Sequence, residues 1–311
     1  MSLAFVFPGQ GSQYAGMGKA LCEAYPVARE TFAEADDALG RPLSTLIFEG
    51  PESDLRVTWN TQPAILTVSV ACLRALRSRS APEPAYCAGH SLGEYSALVA
   101  AGALDFADAV RVVEQRGRFM QDAVPLDTGT MYAVLGLDAE VVASVCAEVT
   151  GPGGVVEVAN DNCPGQVVIS GHVKAVEAAA ERLKAAGAKR AVPLAVSAPF
   201  HCSLMVPAGE RLAGVLAGVA VRGPSVPVVA NVDAAPNSDA ARVAHLLVRQ
   251  VSSPVRWQEC VKTLVGAGVD RFVEVGPGKV LAGLVRRIAP SASVAGVEDP
   301  AGIDAWMESA A

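Results

Sequence analysis

Apolar positions in this chain fall into short continuous runs separated by longer stretches with helical spacing. Leu3-Ala4-Phe5-Val6-Phe7 reads as a buried strand, closed by the turn Pro8-Gly9-Gln10-Gly11-Ser12-Gln13. Helical patterns follow over roughly 17–40 and 61–77, the second opening after Asn60-Thr61 with Pro63 in its first turn. A proline there is tolerated because its missing N–H would be unpaired anyway. Ala85 to Ala88 is another short apolar run, and Glu94 to Ala103 a helix-like one. A further helix is predicted near 106–122, and Pro125 to Gly129 marks a boundary.

From 130 to 195 the pattern changes. Thr130–Gly136 is strand-like and Asp138–Val149 helical. Val155–Ala159 and Gln166–Ser170 read as strands around the turn-rich Asn160-Asp161-Asn162-Cys163-Pro164-Gly165. Val173–Ala186 is helical up to Gly187, and Arg190–Val196 is a strand. That order is β-α-β-β-α-β, the ferredoxin-like arrangement. Beyond it, Val226–Ala230 and Arg271–Val275 are the continuous apolar runs of parallel strands buried on both faces. Helices are predicted near 203–219, 240–251 and 254–267, and only the Ala-rich final residues read as dispensable. A compact unit inserted between α/β segments predicts two parts with a cleft between them.

With 311 residues, 51% hydrophobic and 18% charged, the chain can bury a large core and is not disordered. A net charge of −7 with no offsetting basic stripe argues against nucleic acid as a partner. No apolar run approaches the roughly 20 residues of a membrane span. The opening run ends at Pro8-Gly9 and carries no basic-plus-apolar leader, so a cytoplasmic location is expected. The seven cysteines are odd in number, scattered and without a C-x-x-C pair, and the four histidines are dispersed. They read as reduced thiols, and a zinc site is not expected.

Candidate chemistry concentrates in Gly89-His90-Ser91-Leu92-Gly93, a Gly-x-Ser-x-Gly between a strand-like run and a helix-like one. That is the context of a nucleophile elbow, where a serine on a sharp turn projects its hydroxyl and the next helix offers free N–H groups. The residues alone leave a second reading open, in which Ser91 only caps the following helix.

Further blocks accompany the elbow in order. They are Phe7-Pro8-Gly9-Gln10-Gly11-Ser12-Gln13, Thr61-Gln62-Pro63-Ala64, Gln115-Arg116, Pro164-Gly165-Gln166-Val167-Val168-Ile169-Ser170-Gly171, His201-Cys202-Ser203-Leu204-Met205, Val248-Arg249-Gln250 and Glu274-Val275-Gly276-Pro277-Gly278-Lys279. Together they make the chain resemble, nearly end to end, the malonyl-CoA:acyl-carrier-protein transacylases of type II fatty acid synthesis. More distantly it is similar to the acyltransferase domains of polyketide synthases. The resemblance implies an α/β fold: an α/β-hydrolase-like large subdomain with a parallel sheet (1–125 and 198–311) and an inserted ferredoxin-like small subdomain (126–197).

The resemblance also implies roles. Ser91 would be the nucleophile and His201 its base, oriented by the backbone carbonyl of Gln250 with no separate acidic member. The backbone N–H groups of Gln10 and Leu92 would form the oxyanion hole, and Arg116 would hold the malonyl carboxylate through its planar fork. Of the other histidines, His90 reads as a packing residue, and His172 and His245 as structural or surface groups. Gln62, Phe200, Asn160 and Asn162 would line the substrate pocket, although turn formation accounts for the two asparagines equally well. Phe200 departs from the small polar residue frequent in fatty-acid enzymes; in polyketide acyltransferases a phenylalanine there accompanies malonyl over methylmalonyl use. The partners implied are malonyl-CoA and an acidic acyl carrier protein, met by a basic rim of Lys189, Arg190, Lys279, Arg286 and Arg287. No metal or redox cofactor, no membrane contact and a monomeric state are implied. Three alternatives use the same residues: a thioesterase or esterase that sends water to the acyl-enzyme, a carrier-binding module without activity, and a trans-acting polyketide acyltransferase.

Overall fold

The computed structural model describes residues 2–125, 127–196 and 198–310. The expected boundary residues Leu126 and Ser197, and Ala311 at the Ala-rich end, lie outside them. Ten strands are described: β1 (Ser2–Phe7), β2 (Tyr86–Gly89), β3 (Gly129–Leu135), β4 (Val156–Cys163), β5 (Gln166–His172), β6 (Arg190–Pro193), β7 (Val228–Ala230), β8 (Ala235–Asn237), β9 (Val269–Val275) and β10 (Ser293–Val297). They form a six-stranded sheet in the order β10-β9-β1-β2-β7-β8 and a four-stranded sheet in the order β4-β5-β3-β6. The fold is α/β.

The larger sheet is parallel except at its β7–β8 edge. Helices cover both of its faces, which is why its strands read as unbroken apolar runs. Alternate residues of β1 enter different layers. Phe5 and Phe7 pack with Ile65 and Leu66 of the helix Thr58–Ser78 and with Val110 of the helix Phe106–Asp122. Ala4 and Val6 pack with Trp257 and Val261 of the helix Trp257–Gly266 and with Leu281 of the helix Val280–Ile288.

Every pairing in the smaller sheet is antiparallel. The helices Ala139–Val149 and Val173–Ala185 bury Val142, Cys146, Val176 and Leu183 against Val134, Val167 and Ile169 of the sheet. Met131, Ala159 and Val168 belong instead to the main core, so the smaller sheet meets the larger body through its other face.

Several elements differ from expectation, for local reasons. The 17–40 helix is two helices, Lys19–Ala24 and Pro26–Leu39, split where Pro26 restricts Tyr25 to extended backbone. The next helix begins at Thr58, so Pro63 lies inside it and not in its first turn. Asn160 to Cys163 are strand, not turn. β4 tolerates these turn-type residues because its register shifts twice, between Val158 and Asn160 and between Asp161 and Cys163. The larger body also pairs with it: Asp161 N–H donates to the Val255 carbonyl (3.0 Å) and Val255 N–H to the Ala159 carbonyl (2.9 Å). β6 stops at Pro193, short of Val196. The strands β8 and β10 and the closing helix Pro300–Ala310 have no counterpart among the expected elements. That helix is anchored by buried Ile303 and by Trp306, whose ring meets Phe5 edge-on with centroids 6.1 Å apart.

Candidate active site

The chain leaves β2 at Gly89, turns through His90 and Ser91, and enters the helix Gly93–Ala100. The turn is tight enough to require both glycines. A Cβ on Gly89 would lie 1.9 Å from the Gly93 carbonyl, and one on Gly93 would lie 2.0 Å from the Phe7 carbonyl oxygen. Ser91 itself has φ +52°, in the left-handed region that a non-glycine residue adopts at a cost of about 1–2 kcal/mol. Two side chains hold it there. Its N–H donates to Asn231 Oδ1 (2.7 Å), and its carbonyl accepts from Gln250 Nε2 (2.9 Å).

Ser91 Oγ lies 2.7 Å from His201 Nε2. His201 also has a left-handed backbone, φ +60°, and is buried. Its Nδ1 lies 2.9 Å from the Gln250 carbonyl oxygen, which can only accept, so Nδ1 carries the proton and Nε2 is free to receive one. Burial, then the nearby Arg116 cation, pull the His201 pKa down to about 3, so the ring is neutral at physiological pH. A serine hydroxyl against a neutral imidazole can be deprotonated in the course of an attack, the arrangement of an activated nucleophile.

Arg116 reaches the same point from the helix Phe106–Asp122 and is 1% exposed. Its Nη1 donates to Gln62 Oε1 (2.8 Å), and its Nη2 to Gln250 Oε1 (2.9 Å) and Ser91 Oγ (3.1 Å). Tyr95 stands under the guanidinium, 5.5 Å from ring centroid to Cζ. Burial lowers the Arg116 pKa, and among the described residues no carboxylate forms an ion pair with it. A buried cation without a counter-ion, facing a cavity, is electrostatically matched to an anionic ligand.

Ser91, His201, Arg116 and Gln62 line a cavity of about 110 Å³. Its apolar wall comes from Met120, Met131, Leu194, Val196 and Phe200, and Asn160 adds a polar edge. Gln10 and Leu92 line it as well, and among the described residues neither backbone N–H has an acceptor. A larger cavity of about 640 Å³ adjoins it through Gln10 and Val196 and is walled by Val57, Trp59 and Val124, with Arg56 at its side.

Asn162 does not line the cavity of about 110 Å³. Its Oδ1 lies 2.8 Å from His90 Nε2, and the bulge between Asp161 and Cys163 offsets it from Asn160. His90 thus packs, with Trp257 5.8 Å away, and His172 accepts from Val155 N–H in the smaller sheet. Of the basic residues, Lys189 packs over Gly136, Gly136 N–H donates to the Gly165 carbonyl, and Arg287 binds the neighbouring Pro164 carbonyl (2.6 Å) and Gln166 Oε1 (2.8 Å). Lys189 and Arg287 therefore flank one pair of turns, with exposed Arg190 next in chain. Arg286 donates to the Val294 carbonyl, while Lys279 lies 3.9 Å from Glu298 at the other end of the helix Val280–Ile288.

Sequence reasoning missed two residues under the elbow. Glu94 Oε2 accepts from Asn231 N–H (3.0 Å) and Gln250 Nε2 (2.8 Å), and Asn231 Nδ2 donates to the Gly89 carbonyl (2.7 Å). The available signal was the position of Asn231 directly after the apolar run that became β7, where sheet-end residues meet ligands. Among the described residues no group of three or more His, Cys, Asp or Glu could hold a metal, and no helix is long and apolar enough to cross a membrane. All seven cysteines are free.

The acyl transferase domain family matches the chain over residues 4–302. The chain is 52% identical over 304 residues to the malonyl CoA-acyl carrier protein transacylase of Salmonella typhimurium, covering 98% of each. It superposes on the acyl-carrier-protein S-malonyltransferase of Burkholderia pseudomallei with a TM-score of 0.96 at 51% identity, over 99% of this chain and 100% of the other. A malonyl-transacylase in complex with its type II PKS acyl-carrier protein gives a TM-score of 0.97 at 50% identity, again over 99% and 100%.

Proposed function

The chain belongs to the acyl transferase domain family, among the malonyl CoA-acyl carrier protein transacylases, and we infer that it moves a malonyl group from coenzyme A to an acyl carrier protein. The observation that carries this reading is Arg116: a buried guanidinium that forms no ion pair among the described residues, within hydrogen-bond reach of the serine that a histidine addresses. Such a group favours an acyl chain that ends in a carboxylate and leaves an acetyl group facing an unpaired cation.

His201 Nε2 takes the Ser91 proton as Oγ attacks the thioester carbon. The Gln10 and Leu92 N–H groups face the oxygen on which negative charge develops. The tetrahedral intermediate collapses, the C–S bond breaks, and the departing coenzyme A sulfur takes the proton from His201. The phosphopantetheine thiol of the carrier then gives its proton to His201 and attacks the malonyl-serine ester. Ser91 leaves with that proton, and the cycle closes. Every proton and electron pair is carried by a side chain or a substrate, so the steps call for no cofactor. In this reading the chain divides into 1–125 with 198–311 and an inserted 126–197, the cavity lying between them. Lys189, Arg190 and Arg287, with Arg286 beside them and Lys279 at the other end of the same helix, meet the acidic carrier. In this reading the protein works as a monomer in the cytoplasm.

Intact-protein mass after brief exposure to malonyl-CoA, methylmalonyl-CoA and acetyl-CoA tests the reading. A malonyl adduct is expected on the wild type, absent from Ser91→Ala, and chased onto the carrier thiol when carrier is added. An adduct that goes to water instead of the carrier would make the protein a hydrolase.

A further inference from the structure

Beneath the nucleophile lies a carboxylate that the mechanism above does not use. Glu94, in the first turn of the helix Gly93–Ala100, is 2% exposed. Its Oε2 receives the Gln250 side-chain amide at 2.8 Å, and the same Nε2 also donates to the Ser91 carbonyl at 2.9 Å. With the amide nitrogen committed to those acceptors, Gln250 Oε1 points the other way and accepts Arg116 Nη2 at 2.9 Å. Reversing the amide would set NH₂ against a guanidinium and oxygen against a carboxylate, unfavourable on both sides.

The other amide holding Arg116 lacks such a lock. Gln62 Oε1 accepts Nη1 at 2.8 Å, but among the described residues the hydrogen-bond partner of Gln62 Nε2 is the Met120 sulfur at 3.8 Å, a weak acceptor. The aim of the guanidinium is therefore set chiefly through Gln250. We propose that Glu94 is a positioning residue for acyl selection: it fixes the polarity of the Gln250 amide, and through it points Arg116 at the carboxylate of the incoming acyl group. This rests on the malonyl-transfer reading and adds to it the residue that keeps the selecting arginine oriented. Glu94 also supports the elbow, through Asn231 N–H at 3.0 Å, so loss of overall rate alone would not separate the two roles.

Selection separates them. Single-turnover acylation of Ser91 by malonyl-CoA and by acetyl-CoA, followed by intact mass, gives a malonyl-to-acetyl rate ratio for wild type, Glu94→Gln, Glu94→Asp and Glu94→Met. Glutamine still offers an oxygen to Gln250, and the ratio is expected to stay within about threefold of wild type. Methionine removes the acceptor, and aspartate withdraws it by one methylene while keeping the charge and disturbing packing least. In both the ratio is expected to fall about tenfold or more, the scale of one lost hydrogen bond to a charged group. Equal losses with both donors, in Glu94→Asp as in Glu94→Met, would overturn the inference and leave Glu94 as a support of the elbow alone. Absence of any malonyl adduct on the wild type would overturn the transfer reading, and this inference with it.

Discussion

In the six-stranded sheet, Ala4 to Phe7 of β1 are buried on both faces, whereas β3 of the four-stranded sheet buries Met131 and Val134 and leaves its other residues half-exposed. The groups that build the elbow and its surroundings follow that difference. Gln10, Ser91 and Asn231 stand just past the carboxyl ends of β1, β2 and β7, three strands adjacent in the parallel sheet. The antiparallel sheet supplies Met131 and Asn160, which shape the cavity and touch none of the bonds being made. Groups that must hold a reactive geometry within fractions of an ångström gain from a doubly covered sheet, while a wall that selects by fit tolerates a more solvated one. Substitutions of the groups at the strand ends should therefore cost rate, and substitutions on the cavity wall should change selectivity.

The largest effect is expected at His201. Removing its ring in His201→Ala leaves Ser91 Oγ, among the described residues, with Arg116 as its partner, and acylation by malonyl-CoA should fall by on the order of 10⁴-fold, the upper range for a general base. A fall of less than tenfold in quench-flow mass measurements would place the base elsewhere.

Arg116→Gln comes next. The malonyl rate should drop by on the order of 10²–10³-fold, as when one partner of a buried charge pair is lost, and acetyl transfer should drop much less. The same variant tests the electrostatics. In the wild type His201 is neutral down to pH about 3, so the acylation rate should show no acid limb near the ordinary histidine value. Burial is the larger cause and persists in Arg116→Gln, but the repulsion from Arg116 is gone. Its acid limb, followed with acetyl-CoA from pH 4 to 8, should move up toward 6.5; an unmoved limb would mean that Arg116 does not act on His201. Stability carries the same sign: the unfolded chain takes up a proton near pH 6.5 and the folded one only near 3, so this group's contribution is full above 6.5 and is lost as pH falls through that window.

The smallest effect is expected on the apolar wall that Phe200 shares with Met131. Phe200→Ser should raise methylmalonyl transfer about tenfold, since one methyl is worth only about 1–3 kcal/mol of discrimination. No gain over wild type in competition between the two donors would remove Phe200 from the selectivity account.

What could be read from the chain is what depends on local pattern. Ser91 was legible because a serine flanked by glycines, set between an apolar run and a helix, fits a tight strand-to-helix turn, and the accompanying blocks set aside the helix-cap reading. Arg116 and His201 entered through their blocks in order. The β-α-β-β-α-β order was legible because periodicity changes sharply after Gly129. Glu94 was not, although it directly follows the elbow motif: the helix dipole alone accounts for an acidic residue in a first helical turn. Its partner Asn231 is 137 positions away, and no local signal announces that contact. β4 was cut short for the opposite reason. Asn160 to Cys163 have turn composition, and pairing with β5 on one side and Val255 from the larger body on the other keeps them extended. β8 is three residues long on an antiparallel edge, and β10 contains Ala295 and Gly296 and is largely half-exposed, so neither shows an apolar run.

Ser91 and His201, which exchange a proton in the proposed mechanism, are both held in left-handed backbone. Glycine would sit more comfortably at either position and would destroy the chemistry. Thermal robustness and turnover thus pull in opposite directions at these two sites. A search for hardier variants that screened only for survival on heating would drift toward a well-folded protein unable to acylate itself, and the pressure that keeps serine and histidine in place must come from the reaction.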